Sequence, residues 1–136
     1  MTNSILIVED SLSLRSSYET FFKRAGFQVY TAENGMQGLA SMRENQPQIV
    51  LLDLMMPDVH GLTVLKQAKA EPLLAGIPII ILTALVADLE RDECLRAGAV
   101  SYIEKDSLDL AQLLAEVQRI LQASATATPP VIPATN

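Results

Sequence analysis

Hydrophobic and polar positions along this chain fall into two regimes. Four short runs are apolar with little alternation: Ile5-Leu6-Ile7-Val8, Ile49-Val50-Leu51-Leu52, Ile79-Ile80-Ile81-Leu82 and Val100-Ser101-Tyr102-Ile103. A strand that is apolar on both faces is the mark of a parallel sheet covered on both sides. A fifth run, Phe27-Gln28-Val29-Tyr30-Thr31, alternates and is polar on one side. That pattern places it at the sheet edge.

The segments between these runs carry a helical period. Leu14, Tyr18, Phe21, Phe22 and Ala25 form one stripe of a first helix, and Gly26 supplies the left-handed residue that commonly ends one. Asn34 caps a second helix through Glu44, with Leu39 and Met42 facing inward. A third runs from about Leu62 to Ala70 and stops near Pro72. A fourth spans about Ala87 to Ala97, with Gly98 as its terminator. The last has Leu110, Leu113, Leu114, Val117 and Leu121 at helical spacing, with Asp106 or Ser107 as its cap. Strand and helix alternate five times, (βα)5, which predicts right-handed crossovers and helices on both faces of one parallel sheet.

Composition narrows the picture. A chain of 136 residues argues for one domain, since a domain is typically roughly 100–200 residues. With 49% hydrophobic residues it can bury a sizeable core. The formal net charge of −6, with no Lys/Arg cluster, argues against direct contact with nucleic acid, because phosphate binding needs a positive surface. Cys94 is the only cysteine, so no internal disulfide forms, which fits a reducing cytoplasm; it reads as a small apolar residue on a helix. The first residues carry no basic charge and no secretory signal. The longest apolar stretch, Ile77 to Ala87, is interrupted by Pro78 and Thr83 and is too short to span a bilayer. A soluble, cytoplasmic protein without membrane contact is expected. Residues 1–123 form the domain, and the Ala/Thr/Pro-rich segment 124–136 reads as a disordered tail or linker.

The informative polar residues follow the buried strands. The first strand ends in Glu9-Asp10, the third in Asp53, the fourth in Thr83 and the last in Glu104-Lys105. Carboxyl ends of parallel strands share one edge of the sheet, and ligands of open α/β sheets bind outside that edge where the strand order reverses. Three carboxylates gathered there repel one another unless a cation compensates. An all-oxygen set with few protein ligands suits Mg²⁺ better than a closed Ca²⁺ cage, and no His/Cys cluster exists for zinc. With the metal in place, a carboxylate can act as nucleophile towards a phosphoryl group. The metal, the Lys105 ammonium and the Thr83 hydroxyl then cover the transferred oxygens, since this chemistry is largely positioning and charge stabilisation. Each residue alone has a bland explanation: Glu9-Asp10 as a helix cap, Thr83 as a strand end, Lys105 as a solvated charge. Their coincidence at matching strand ends argues otherwise. His60, the only histidine, reads as an exposed loop residue.

Four segments in order carry a resemblance: Ile5-Leu-Ile-Val-Glu-Asp10, Leu51-Leu-Asp-Leu-Met-Met-Pro-Asp-Val-His-Gly61, Ile81-Leu-Thr-Ala84 and Tyr102-Ile-Glu-Lys105. Across about residues 3–123 the chain resembles the CheY-like receiver domains of bacterial two-component response regulators. The resemblance implies a flavodoxin-like doubly wound (βα)5 fold, with a five-stranded parallel sheet in the order 2-1-3-4-5. It implies Asp53 as phosphoacceptor, Asp10 as a direct Mg²⁺ ligand, Glu9 as a ligand through water, and the Met55 carbonyl as a further ligand. Thr83 then resembles the switch hydroxyl and Tyr102 the switch aromatic, although Tyr102 reads equally well as a half-buried strand residue. Pro57 and Gly61 shape the loop after Asp53.

The implied donor is a histidine kinase or a histidine phosphotransfer protein. The implied reader is a downstream effector protein or output domain at the face of the fourth helix, fifth strand and fifth helix, which is also a candidate for homodimerisation. The chain would catalyse only its own phosphorylation and dephosphorylation and is otherwise not an enzyme. It reads either as a stand-alone regulator or as a receiver joined to more chain through its Pro-rich tail.

Two departures from the family carry expectations. The lysine is usually followed by a cis proline; here Asp106 follows Lys105, so a trans or locally strained loop is expected, a non-proline cis bond costing about 2.5–4 kcal/mol. Met55 and Leu85 occupy positions that tune water attack and are apolar, so a long-lived acyl phosphate is expected. Rival readings fare worse. A phosphatase of the haloacid-dehalogenase type resembles Asp-x-Asp at its nucleophile, whereas Met55 stands two residues after Asp53. In a flavodoxin-like FMN carrier, Glu9-Asp10 would repel the phosphate. A degenerate receiver acting as a scaffold would not need Asp53, Thr83 and Lys105 intact.

Overall fold

A computed structural model describes residues 3–84 and 87–126. The expectations for Leu85 and for the tail beyond Thr126 lie outside the described residues. The elements run β1 (Ser4–Val8), α1 (Leu12–Arg24), β2 (Gln28–Ala32), α2 (Gly35–Asn45), β3 (Ile49–Asp53), α3 (Gly61–Ala70), β4 (Ile79–Thr83), α4 (Asp88–Arg96), β5 (Ser101–Glu104) and α5 (Leu110–Thr126).

All strands are parallel in one sheet ordered β2-β1-β3-β4-β5, the expected flavodoxin-like arrangement. Successive side chains of a strand point to opposite faces, and the core divides accordingly. Leu6, Val8, Val50, Leu52, Ile79 and Ile81 pack with Leu39 and Met42 of α2, Val64 and Leu65 of α3, and Cys94 of α4. Ile5, Ile7, Ile49, Leu51, Ile80 and Leu82 pack on the other side with Tyr18 and Phe22 of α1 and Leu113 and Val117 of α5. Both residue sets of the central strands are therefore buried, which is why these runs read as continuous rather than alternating. Burying one such Leu or Ile side chain stabilises the fold by roughly 1.5–3 kcal/mol.

Local signals end the helices. Gly26 and Gly98 follow α1 and α4 with φ of +97° and +113°, values that L side chains rarely adopt. Asn34 caps α2 by accepting from the Gln37 amide at 2.9 Å, and α3 stops at Ala70, before Pro72. Cys94 is fully buried, and burial pushes its thiol up, as do the charges of Glu90 and Glu93. Among the described residues no helix is long and apolar enough to cross a membrane.

Several expectations need correction. The last strand is Ser101–Glu104, not Val100–Ile103, and it is half-buried throughout, because it forms the second edge of the sheet. Val100 is 42% exposed. Phe27 is buried but precedes β2. In α1, Leu14 and Ala25 lie outside the core, which takes Tyr18 and Phe22. At the start of α5 it is Asp109 that accepts from a helix amide, Ala111 N at 3.0 Å, rather than Asp106 or Ser107. The Ser107 hydroxyl instead donates to Glu104, and the Leu108 amide closes a turn on the Lys105 carbonyl. Finally, α5 continues through Thr126 into the segment expected to begin the tail.

Candidate functional site

The strand order reverses between β1 and β3, which lie side by side while the chain proceeds outward from each. Val8 is level with Leu52, Leu52 with Ile81, and Asp53 with Leu82. This register brings Glu9, Asp53 and Thr83 to one edge. Lys105 joins them because its amide donates to the Thr83 carbonyl at 2.7 Å, which extends the β4–β5 ladder by one step.

Glu9, Asp53 and Thr83 are buried, whereas Asp10 is exposed. Carboxylate oxygens of Glu9, Asp10 and Asp53 all lie within 4.8 Å of one another. Lys105 Nζ sits 2.7 Å from Glu9 Oε1 and 3.1 Å from Asp53 Oδ1. Glu9 Oε2 accepts from the Ser11 amide at 3.1 Å. Glu9 Oε1 is buried, and the Lys105 ammonium is its charged partner.

One ammonium does not balance three carboxylates, and Asp53 and Asp10 are shifted in opposite directions. Burial pushes Asp53 up to about 7, and the Glu9 charge adds to the rise against the pull of Lys105. Asp10 moves the other way. Desolvation, the largest single influence, raises it, but the side-chain hydrogen bonds it shares with Asp53 and Glu9, its own backbone and the Lys105 charge together outweigh this, so it sits below its usual range. Lys105 is desolvated, but its contacts with Glu9 and Asp53 outweigh this and hold its pKa above the usual value, so it stays charged.

The donor set fits a hard divalent cation. It offers carboxylate oxygens only, one exposed ligand that leaves the site open to water, and two buried acids that share a single ammonium. Met55 lies just beyond Asp53, with its amide donating to Asp53 Oδ1 at 3.3 Å and its side chain exposed at the rim.

Thr83 is fully buried at the end of β4. The Tyr102 ring is half-buried, packs against the core on the α2–α4 side, and hydrogen-bonds to the Thr83 side chain and the Ala87 backbone. Burial and the Glu90 charge raise its phenol pKa in spite of those bonds. The Lys105–Asp106 peptide is trans, as expected. Gly61 lets α3 approach β3, since a Cβ there would lie 2.6 Å from the Asp53 carbonyl oxygen and 2.7 Å from Leu54 Cα. His60 is half-buried and caps α3 by accepting from the Leu62 amide through Nδ1, with Nε2 3.7 Å from Glu90 Oε2. It is thus more engaged than an exposed loop residue.

Two contributors escaped the sequence reading. Arg15 Nη1 donates to the Glu9 carbonyl at 2.8 Å and more weakly to that of Asp10 at 3.5 Å, so a residue of α1 fixes the turn that carries the acidic pair. Ser11, rather than Glu9 or Asp10, caps α1 through the Leu14 amide at 3.3 Å. A serine immediately before a helical stripe was a readable signal for that cap.

Residues 5–118 match the family model for the response regulator receiver domain, and the chain belongs to this family. It is 36% identical over 120 residues to the regulatory protein AtoC of Escherichia coli (strain K12), covering 88% of this chain and 25% of that protein. It is 30% identical over 105 residues to the polar-differentiation response regulator DivK of Brucella ovis, covering 77% of this chain and 85% of that protein. The fold matches a solved CheY-like receiver domain protein from Methanospirillum hungatei with a TM-score of 0.87 at 26% identity, covering 93% of this chain and 98% of that one. The chain spans a quarter to about half the length of AtoC and of two transcriptional regulators it also matches.

Proposed function

We propose that this receiver domain accepts a phosphoryl group on Asp53 in a Mg²⁺-dependent reaction and thereby switches its α4–β5–α5 face for a partner. The observation that carries the reading is the arrangement around Lys105: an ammonium within ion-pair distance of both Glu9 and Asp53, beside a third acid that stays ionised. That array is short of positive charge as it stands, and a cation held by Glu9, Asp10, Asp53 and the Met55 carbonyl would neutralise the acids and one oxygen of an incoming phosphoryl group.

The chain's own residues supply the rest. Asp53, ionised, attacks the phosphorus of a phosphohistidine on a histidine kinase or phosphotransfer protein. The P–N bond breaks and its electron pair returns to the donor imidazole. Lys105 moves its charge onto a phosphoryl oxygen, and the Thr83 hydroxyl donates to another. Because the Tyr102 phenol is bonded to Thr83, displacement of Thr83 changes the partner of a residue on β5. The edge position of β5 makes that change available to an effector protein, an output domain or a second copy. The setting is the cytoplasm, where the histidine donors of such relays act.

The test is Mg²⁺-dependent uptake of a small phosphodonor or beryllofluoride by the wild-type chain and by Asp53→Asn. Stoichiometric uptake by the wild type alone is expected. Equal uptake by the variant overturns the assignment.

A further inference from the structure

The loop from Leu54 to His60 carries Met55, and a latch on its far side is not explained by the acidic site itself. Asp58 Oδ1 accepts from the Gly35 amide at 3.0 Å, and Asp58 Oδ2 accepts from the Met36 amide at 3.1 Å. These are the first two amides of α2, and Asn34 satisfies the third, on Gln37. A helix N-terminus leaves such donors unpaired and favours negative charge. Here a carboxylate from the neighbouring loop fills both roles at once. Desolvation is the largest single influence and raises the Asp58 carboxyl, but the backbone hydrogen bonds of Gly35, Met36, Val59 and Asp58 itself together outweigh it and hold the carboxyl below the usual range.

The loop is constrained elsewhere too. Its ends are drawn together where the Gly61 amide donates to the Leu54 carbonyl at 2.7 Å, and Met56 is buried in the core on the α2–α4 side. Pro57 then fixes φ immediately before the latch. Gly35 admits the approach, because a Cβ there would meet Val64 Cγ2 at 2.8 Å and Val59 Cβ at 3.1 Å. Asp58 also lines one open cleft with Asp10, Arg15 and Asn34, so the latch sits beside the exposed acid of the site.

We infer that Asp58 is a positioning residue: its bidentate grip on α2 holds the Met55 segment in the conformation that binds the divalent cation. This rests on the metal-site reading above. Groups that only orient metal ligands typically contribute about 10- to 100-fold in metal affinity. A purely structural cap would lower stability and leave the affinity of the folded protein unchanged.

The comparison that separates these is Asp58→Ala against Asn34→Ala, which removes the other side-chain cap of the same helix without touching the loop. Magnesium affinity is measured by calorimetry on folded protein, and Tm is measured without metal. Asp58→Ala is expected to weaken Mg²⁺ binding about tenfold. Asn34→Ala is expected to lower Tm to a similar degree, since each variant removes one side-chain cap of α2, with Mg²⁺ affinity within about twofold of wild type. Asp58→Asn keeps a single acceptor oxygen and should fall between, and it serves in place of the alanine variant if that one does not fold. Unchanged Mg²⁺ affinity in the Asp58 variants, or equal weakening in Asn34→Ala, overturns the inference while leaving the metal site standing. Absence of Mg²⁺ binding by the wild type overturns both.

Discussion

Lys105 Nζ lies closer to Glu9 Oε1, at 2.7 Å, than to the proposed phosphoacceptor at 3.1 Å. Its charge is therefore already applied to an acid of the proposed metal site. Two positive charges directed at the same carboxylates oppose each other. Lys105→Ala is expected to bind Mg²⁺ more tightly, by roughly threefold to tenfold, while losing beryllofluoride uptake. Calorimetry and fluoride-complex titration on the same samples check both halves. Weaker Mg²⁺ binding in the variant would contradict this.

Stability without metal should depend on pH through Asp53. Its folded pKa is raised from 3.8 to about 7, so the folded state holds a proton that the unfolded chain releases. The associated stability is fully present below the unfolded value and is lost as pH rises through about 7. In chelator, the Tm of the wild type should fall between pH 5 and pH 8, and Asp53→Asn should flatten that slope and exceed the wild type at pH 8. Added Mg²⁺ should restore the wild type by mass action. Parallel pH profiles for the two proteins would remove Asp53 as the cause.

Gly61 tests how closely α3 must approach β3. An added Cβ would collide with the Asp53 carbonyl oxygen and Leu54 Cα, both backbone atoms that cannot rotate away. Gly61→Ala should lower unfolding free energy by about 1–3 kcal/mol, as overpacking does, and weaken Mg²⁺ binding because the loop shifts. Gly76→Ala, where a Cβ meets nothing within 4 Å, should change neither. Urea denaturation of both variants is the measurement.

The lifetime of the acyl phosphate should respond to Met55. Its side chain is 57% exposed at the rim of the site and offers no hydrogen bond to an attacking water. Met55→Asn, which can orient water, is expected to shorten the half-life severalfold. Loss of a radiolabelled phosphoryl group from the wild type within seconds at neutral pH would show that the apolar rim does not protect it.

Much of the fold was readable because both faces of β1, β3 and β4 are buried, which leaves an unmistakable run in the sequence. The last strand was harder. Val100 looks like core, yet it is exposed one residue before an edge strand whose interior is only half-covered. An edge has one neighbour, and residue type alone does not reveal which strand ends up there. The site acids were legible because strand ends converge in any sheet of this topology. Arg15 and Asp58 were not, since both act on backbone groups brought near by turns. Neither contact leaves a period or spacing in the chain. The start of α5 was misassigned because Lys105–Leu108 closes a turn of its own, which moves the capping role on to Asp109.

The order of strands also bears on when the protein can first respond. Glu9 is made early and Lys105 late, and the lysine reaches the acids only once β5 has laddered onto β4 at the sheet's edge. A fragment ending before β5 would carry Glu9 and Asp53 without the ammonium that lies between them, so the charge arrangement on which the proposed function rests is assembled only when the last strand is in place.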